Sequence, residues 1–264
     1  MERWLLGSSI ACFAASFLYS VVSLAARRYR ASRRNYALIA AGFVSLTGFL
    51  HLRGEASGHC PITTPFEILM FLAWSVALIY LVVGTGFRMS LLGAFTAPLA
   101  VLLQTSAFLF QNEPAAHRSA PPNVWLELHA VFSIIAYGAF AMAAVAGLMF
   151  LIQESRLKSH KVTGLTAHLP AIRDLRAMNA RLMLFGFLLL SAGLIAGFLI
   201  GRPAGMLKLA GGVVVWILYG VILRSHWASQ CAPTASAKLS IAGFAASLLS
   251  LWGTQLMQSG GVLQ

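Results

Sequence analysis

The stretch LELHAVFSIIAYGAF, residues 126–140, puts His129, Ser133 and Tyr137 at positions i, i+4 and i+8. On a helix that spacing lines one face, with an imidazole near the helix start, a hydroxyl one turn in and a phenol two turns in. Such a histidine can ligate a heme iron or another metal through one ring nitrogen while the other nitrogen donates to a neighbour. It can equally be an interfacial side chain, anchored like the aromatics around it. His226 closes the segment VVWILYGVILRSH, and Trp216, Tyr219 and Leu223 share its sector at a period of 3.6. That column is either an aromatic wall leading to a nitrogen ligand or plain packing. His59 stands before a further helix, in GHCPITTPFEILMFLAW. His117, His160 and His168 lie in polar loops among charges and read as solvated side chains.

The elements that must position these residues follow from composition. Of 264 residues, 59% are hydrophobic and 10% charged, more apolar surface than a soluble core of this size can hide. The expected fold is all-α: a polytopic membrane helix bundle, one integral-membrane domain over residues 1–264. Apolar stretches run over roughly 4–26, 36–52, 66–84, 91–111, 126–152, 182–201, 208–224 and 238–258, each within range of the ~20 residues that cross a bilayer. Glycines recur within them, as at Gly186, Gly193 and Gly197, and small residues let helix backbones approach closely in lipid. Pro98 falls inside the fourth stretch, where a kink is expected. No fixed-period repeat and no inverted half-to-half symmetry emerges, which disfavours a repeat-built transporter.

A net charge of +12 could suggest nucleic-acid binding, but its distribution points to topology instead. With alternate loops on opposite sides, 14 of the 19 Lys and Arg residues fall on one side, among them Arg27, Arg28, Arg30, Arg156, Lys158, Arg173, Arg176, Arg181, Arg224 and Lys238. The positive-inside rule then places loops 27–35, 85–90, 154–181 and 225–237 in the cytoplasm and both termini outside. The first stretch reads as a retained helix rather than a signal peptide, because one Arg precedes it and five follow in RRYRASRR. Within loop 154–181, Leu169, Ile172, Leu175 and Met178 recur at helical spacing beside basic residues. That pattern suggests either a short amphipathic helix on the inner surface or a basic tether.

Acidic residues narrow the chemistry further. Glu67 and Glu127 sit near external helix starts, where the helix dipole favours an anion, and none of the seven acidic residues needs to lie at the bilayer centre. A proton-coupled pump is therefore disfavoured. Cys12, Cys60 and Cys231 have no C-x-x-C or metal-finger spacing, which argues against a thiol-redox enzyme and a structural zinc site.

Several of these segments together resemble one family. GHCPITTPFEILMFLAW is similar to a helix start of the CcsA/CcmC-type cytochrome c assembly proteins, LHAVFSIIAYGAF looks like their L-H-x-x-x-x-x-x-x-Y-x-x-F helix, and VVWILYGVILRSH with IAGFAASLLSLWGTQLM resembles their last two helices. The resemblance is collinear from about residue 50 to 258. It implies an eight-helix bundle that handles heme, with His129 in the place of an external axial ligand, His226 in that of a histidine near the inner end of the penultimate helix, and His59 in that of a recurrent histidine before an earlier helix.

Two departures qualify it. The connection GRPAGMLKLAGG lacks the family's Trp-rich loop, and TQLMQSGGVLQ carries no second external histidine, leaving Met257, His51 or His59 as alternative second ligands. The sequence is closer to a shorter branch that resembles YpjD and HemX membrane proteins. The expectation is a heme-binding or heme-handling membrane protein, holding b-type heme and working with other cytochrome assembly proteins, with no catalytic turnover, no catalytic residue and no nucleic-acid partner. Two rival readings remain: a small-solute transporter or permease subunit, which solute flux in proteoliposomes would reveal, and a structural or regulatory membrane partner that has lost the cofactor.

Overall fold

A computed structural model describes residues 1–26, 33–58, 60–86, 92–110, 123–158, 171–200, 206–227 and 232–260. Its elements are α1 (Glu2–Ala25), α2 (Arg33–Ser57), α3 (Pro65–Gly86), α4 (Leu92–Ala107) ending in a 3-10 turn (Phe108–Phe110), α5 (Val124–Lys158), α6 (Ile172–Phe198), α7 (Met206–Trp227) and α8 (Pro233–Gly260). Eight of these helices are long and apolar enough to cross a membrane. Lipid offers no partner for a bare N–H or C=O, so an apolar segment there must satisfy its backbone within itself. Among the described residues no strand forms. His59, His117, His160, His168 and Leu169 lie outside the described residues, and so does the side chain of Met257.

The chain divides into two compact units: Met1–Ser119 with Leu151–Asp174, and Ala120–Phe150 with Leu175–Gln264. In the first, α1 packs on α2 and α4 through a face of small and polar residues. A Cβ on Gly42 would stand 3.1 Å from the Phe13 ring, so glycine is what lets α1 and α2 close on that phenylalanine. Buried polar groups on this face find each other: Gln104 Nε2 donates to Ser9 Oγ at 2.9 Å, and Ser16 Oγ donates to Asn35 Oδ1 at 2.5 Å. The start of α3 is a capping box. Thr64 Oγ1 accepts from the Glu67 N–H at 3.2 Å, Glu67 Oε2 accepts from the Thr64 N–H at 3.2 Å, and Pro65 takes the first helical position, where its missing N–H costs nothing.

In the second unit α5 starts on Asn123, whose Oδ1 accepts from the Trp125 N–H at 3.0 Å as an N-cap does. Asn179 of α6 ties three helices together, donating from Nδ2 to Ala143 O of α5 at 2.6 Å and to Ser240 Oγ of α8 at 2.9 Å. Phe140 of α5 and Tyr219 of α7 stack with ring centroids 3.5 Å apart and planes 7° apart. That close approach requires Gly186 on α6, because a Cβ there would stand 2.6 Å from the Phe140 ring.

Two expectations differ in extent. α5 has 35 residues rather than the 27 or so of the apolar stretch, and α6 begins ten residues before its apolar stretch. The described part of the segment read as a surface helix is thus the first part of α6, where Leu175, Met178, Asn179 and Leu182 are buried at i, i+3, i+4 and i+7. That stripe continues without a Gly or Pro until Gly186, so nothing ends the helix. Pro98 lies inside α4 as expected.

Candidate functional site

His129 stands in the second turn of α5, and its partner is α6. His129 Nδ1 is 2.7 Å from the Gly193 carbonyl oxygen. A carbonyl can only accept, so Nδ1 carries the proton and donates it, which leaves the Nε2 lone pair unprotonated in the neutral ring. That is the tautomer of a metal-ligating histidine, in which a backbone carbonyl orients the ring and raises the basicity of the ligating nitrogen. Among the described residues no hydrogen-bond partner meets Nε2.

The ring can sit there because α6 offers it no side chain. A Cβ on Gly197 would stand 2.8 Å from His129 Nδ1 and 2.7 Å from Leu209 Cδ1, and a Cβ on Gly193 would stand 3.0 Å from Ser133 Oγ. The glycines at 193 and 197 thus form a ledge under the α5 face that carries His129 and Ser133. Among the described residues Ser133 Oγ is buried without a hydrogen-bond partner, a polar atom directed at this ledge. Tyr137 is buried further along the same face, 6.4 Å from Phe140 by ring centroids.

His226 lies elsewhere. Its Nδ1 is 3.0 Å from Ser236 Oγ of α8, and a hydroxyl can donate or accept, so this bond does not select a tautomer. Along α7, Leu209 beside the His129 ledge and His226 are 17 residues apart, about 25 Å at the rise of a helix. The two histidines mark opposite ends of the second unit and cannot ligate one iron. The sector assigned to His226 also splits: Tyr219 is fully buried, whereas Trp216 is 37% exposed, donates to Ser191 Oγ at 2.8 Å and stacks on Phe187. His59 lies outside the described residues. His51 is exposed, with Nε2 3.5 Å from Glu55 Oε1.

Among the described residues no three His, Cys, Asp or Glu side chains gather in a way that could hold a bare metal ion. A porphyrin-bound iron asks less of the protein, since the macrocycle fills four positions and one or two side chains complete it. His129, with its ring oriented by Gly193 O and Nε2 without a hydrogen-bond partner among the described residues, fits that role. One feature escaped the sequence reading: Arg53 Nε donates to Glu67 Oε1 at 2.8 Å, with the guanidinium 5.4 Å from the Phe66 ring centroid. The two partners lie 14 residues apart across a connection, and no spacing rule reaches that far.

A profile of the family described as "Cytochrome C assembly protein" matches residues 63–261, about three quarters of the chain. The chain is 27% identical over 226 residues to "Cytochrome c biogenesis protein CcsA" of Chlamydomonas reinhardtii, a match that takes in 80% of this chain and 62% of that relative. It is 24% identical over 258 residues to "Protein HemX" of Brevibacillus brevis, covering 95% of each. A cyanobacterial CcsA, from Prochlorococcus marinus, is 25% identical over 256 residues, covering 84% of this chain and 81% of the relative.

Proposed function

The chain belongs to the cytochrome c assembly protein family, and from that premise we propose that it is a heme-handling membrane protein of cytochrome c biogenesis, without catalytic turnover, whose His129 is an axial ligand. The observation that carries the assignment of His129 is the bond from Nδ1 to Gly193 O, which orients the ring and leaves Nε2 as the ligating atom. Bound heme supplies an iron that takes one or two axial side chains and reports its ligation in the visible spectrum. This chain's own part is to hold the imidazole against the α6 ledge and to keep Leu209 beside it.

His226 is the second proposed ligand, at the opposite end of the unit, where Ser236 positions it from α8. His59 is a third candidate. The b-type character of the heme, the other assembly proteins as partners, and the reading of 1–264 as one assembly-type domain belong to the same proposal. The near-complete overlap with HemX, and a stretch 201–212 without tryptophan, favour the shorter branch of the family.

The direct experiment is an absorption spectrum of the detergent-purified protein. A Soret band with reduced-state α and β bands is expected, and a spectrum with no heme in protein from heme-replete cells would end the proposal. A positional test complements it. Gly197→Val places a branched side chain where a Cβ alone already meets His129 Nδ1 and Leu209. Overpacking of this kind costs about 1–3 kcal/mol, so the protein should fold while the ring is displaced. Heme content is expected to fall although His129 is still present; unchanged content in a folded variant would mean that the ledge does not position the ligand.

Orientation is part of the reading. The reading puts both termini outside and the segment 154–181 on the cytoplasmic side of a bacterial inner membrane, and the 14-to-5 division of basic residues supports that orientation. A membrane-impermeant maleimide added from the outer side should label a cysteine introduced at Ser119 and spare one at Ser159. The reverse pattern would invert the assignment and put His129 at the inner surface.

A further inference from the structure

In the second unit, α6 and α7 are bridged toward the outer end, where Trp216 Nε1 donates to Ser191 Oγ, and they leave a groove toward the other end. Its volume is about 590 Å³ and its walls are Leu184, Phe187 and Leu188 of α6 with Gly220, Leu223, Arg224 and Trp227 of α7. From Gly220 to Trp227 it runs along roughly 10 Å of helix axis. Gly220 makes the floor: a Cβ there would touch the Phe187 ring at 3.5 Å and nothing closer. Leu188 is 58% exposed and Trp227 64% exposed, so the groove is open on the side of α6 and α7 that meets the surrounding medium. It does not involve His129 or the glycine ledge.

The groove is apolar along its length and cationic at one end. Arg224 sits in the last turn of α7 and forms no ion pair among the described residues. Arg181 lies three residues before Leu184 and seven before Leu188, on the same α6 face, one turn nearer the same end. The second unit has one acidic residue, Glu127, near the start of α5 and at the other end of the bundle. Asp174, in the first turn of α6, stands ten residues before Leu184, about 15 Å along the axis. No carboxylate of the unit is therefore at hand to neutralise Arg224. An indole at the helix end beside the guanidinium is the arrangement found at membrane–water boundaries.

We infer that this groove is a binding site for an anionic phospholipid, with an acyl chain along Gly220, Leu188 and Leu223 and the headgroup phosphate on Arg224. The occupant follows from shape and charge together. An open apolar groove suits a hydrocarbon chain, its one cationic end suits a phosphate, and basic sites between transmembrane helices near the membrane surface are where anionic headgroups settle. A transmembrane helix from another protein would fill the channel too, but it would leave Arg224 without a counter-charge.

The test uses the full-length protein reconstituted in nanodiscs of mixed phosphatidylcholine and phosphatidylglycerol, released into mild detergent and examined by native mass spectrometry. Wild type should retain phosphatidylglycerol in preference to phosphatidylcholine. Arg224→Gln should lower that preference about fivefold, the worth of one basic side chain near a charged headgroup. Gly220→Leu, which fills the floor, should reduce retention of both lipids, while Lys238→Gln, basic but outside the groove, should change nothing. An unchanged unfolding midpoint serves as the folding control for each variant. Equal phosphatidylglycerol retention in wild type and Arg224→Gln would overturn the assignment. So would a polypeptide or heme adduct that disappears with Gly220→Leu while lipid retention is unaffected.

Discussion

Replacing His129 with alanine is expected, on the proposed ligand role, to lower the heme content of the purified protein by at least about tenfold. The expectation follows from what the imidazole does. Its Nδ1–H is committed to Gly193 O at 2.7 Å, so Nε2 is the only ring atom left to meet an iron, and alanine removes the ligand and its orienting bond together. The fold should survive. His129 is only partly buried, its ledge is made of glycines, and the stack and polar knot that hold the unit lie further in, at Phe140, Tyr219 and Asn179. His117→Ala, among the charged and polar residues between α4 and α5 in the sequence, should leave heme content unchanged, and His129→Cys or His129→Met should shift the spectrum rather than abolish it. Pyridine hemochrome quantification per mole of protein checks this. Equal heme in wild type and His129→Ala would make the outer site a relic and move the search to His226.

A second large effect is expected at Glu67, where stability rather than heme is at stake. This carboxylate is 2% exposed and carries four acceptor bonds: Arg53 Nε at 2.8 Å, Thr63 N at 3.0 Å, Thr63 Oγ1 at 2.8 Å and Thr64 N at 3.2 Å. Glu67→Ala would leave the Arg53 charge and the Thr63 and Thr64 N–H groups just before α3 without this acceptor, at a cost of about 3 kcal/mol. Arg53 is 32% exposed, and water recovers part of the loss, which keeps the figure at the low end for a broken buried pair. Glu67→Gln keeps the amide oxygen as an acceptor and should fall between. Tryptophan fluorescence during heating in a fixed detergent measures the effect. A cycle with Arg53→Met should show that the second substitution costs less once the first is made. An unchanged midpoint in Glu67→Ala would mean that the first unit does not depend on this pair.

The parts of the molecule that the sequence made legible are those governed by the solvent. Lipid forces long apolar helices, so the eight spans could be read from composition. Helix ends could not, because a charged turn such as Arg173 to Arg181 is compatible with either a loop or a helix protruding past the bilayer, and only the buried stripe of Leu175, Met178 and Leu182 decides it. At the site, the spacing of His129, Ser133 and Tyr137 was enough to put them on one face, but not to name what that face meets. The complementary signal was present in Gly186, Gly193 and Gly197, which repeat at i, i+7 and i+11 on α6 and lie against Phe140, Ser133 and His129 in turn. Two helices had to be read against each other to see it. Trp216 and Tyr219 show the opposite limit. Three residues apart on α7, they share a sector by angle, yet one is exposed and the other enclosed, because Ser191 and Phe187 hold the indole at the bundle's edge.

The face-to-face rings of Phe140 and Tyr219 give the second unit a property that has nothing to do with its ligand. Two aromatic chromophores fixed 3.5 Å apart and nearly parallel in an asymmetric setting couple electronically, and such coupling contributes to circular dichroism in the near ultraviolet. That signal persists only while side chains are immobilised and vanishes in states that keep their helices but lose their packing. The stack thus adds, with other fixed pairs such as Phe187 and Trp216, to an optical signature of intact side-chain packing that is readable without heme. A His129 variant that has lost heme but kept this band has lost a ligand, whereas one that has lost both has come apart.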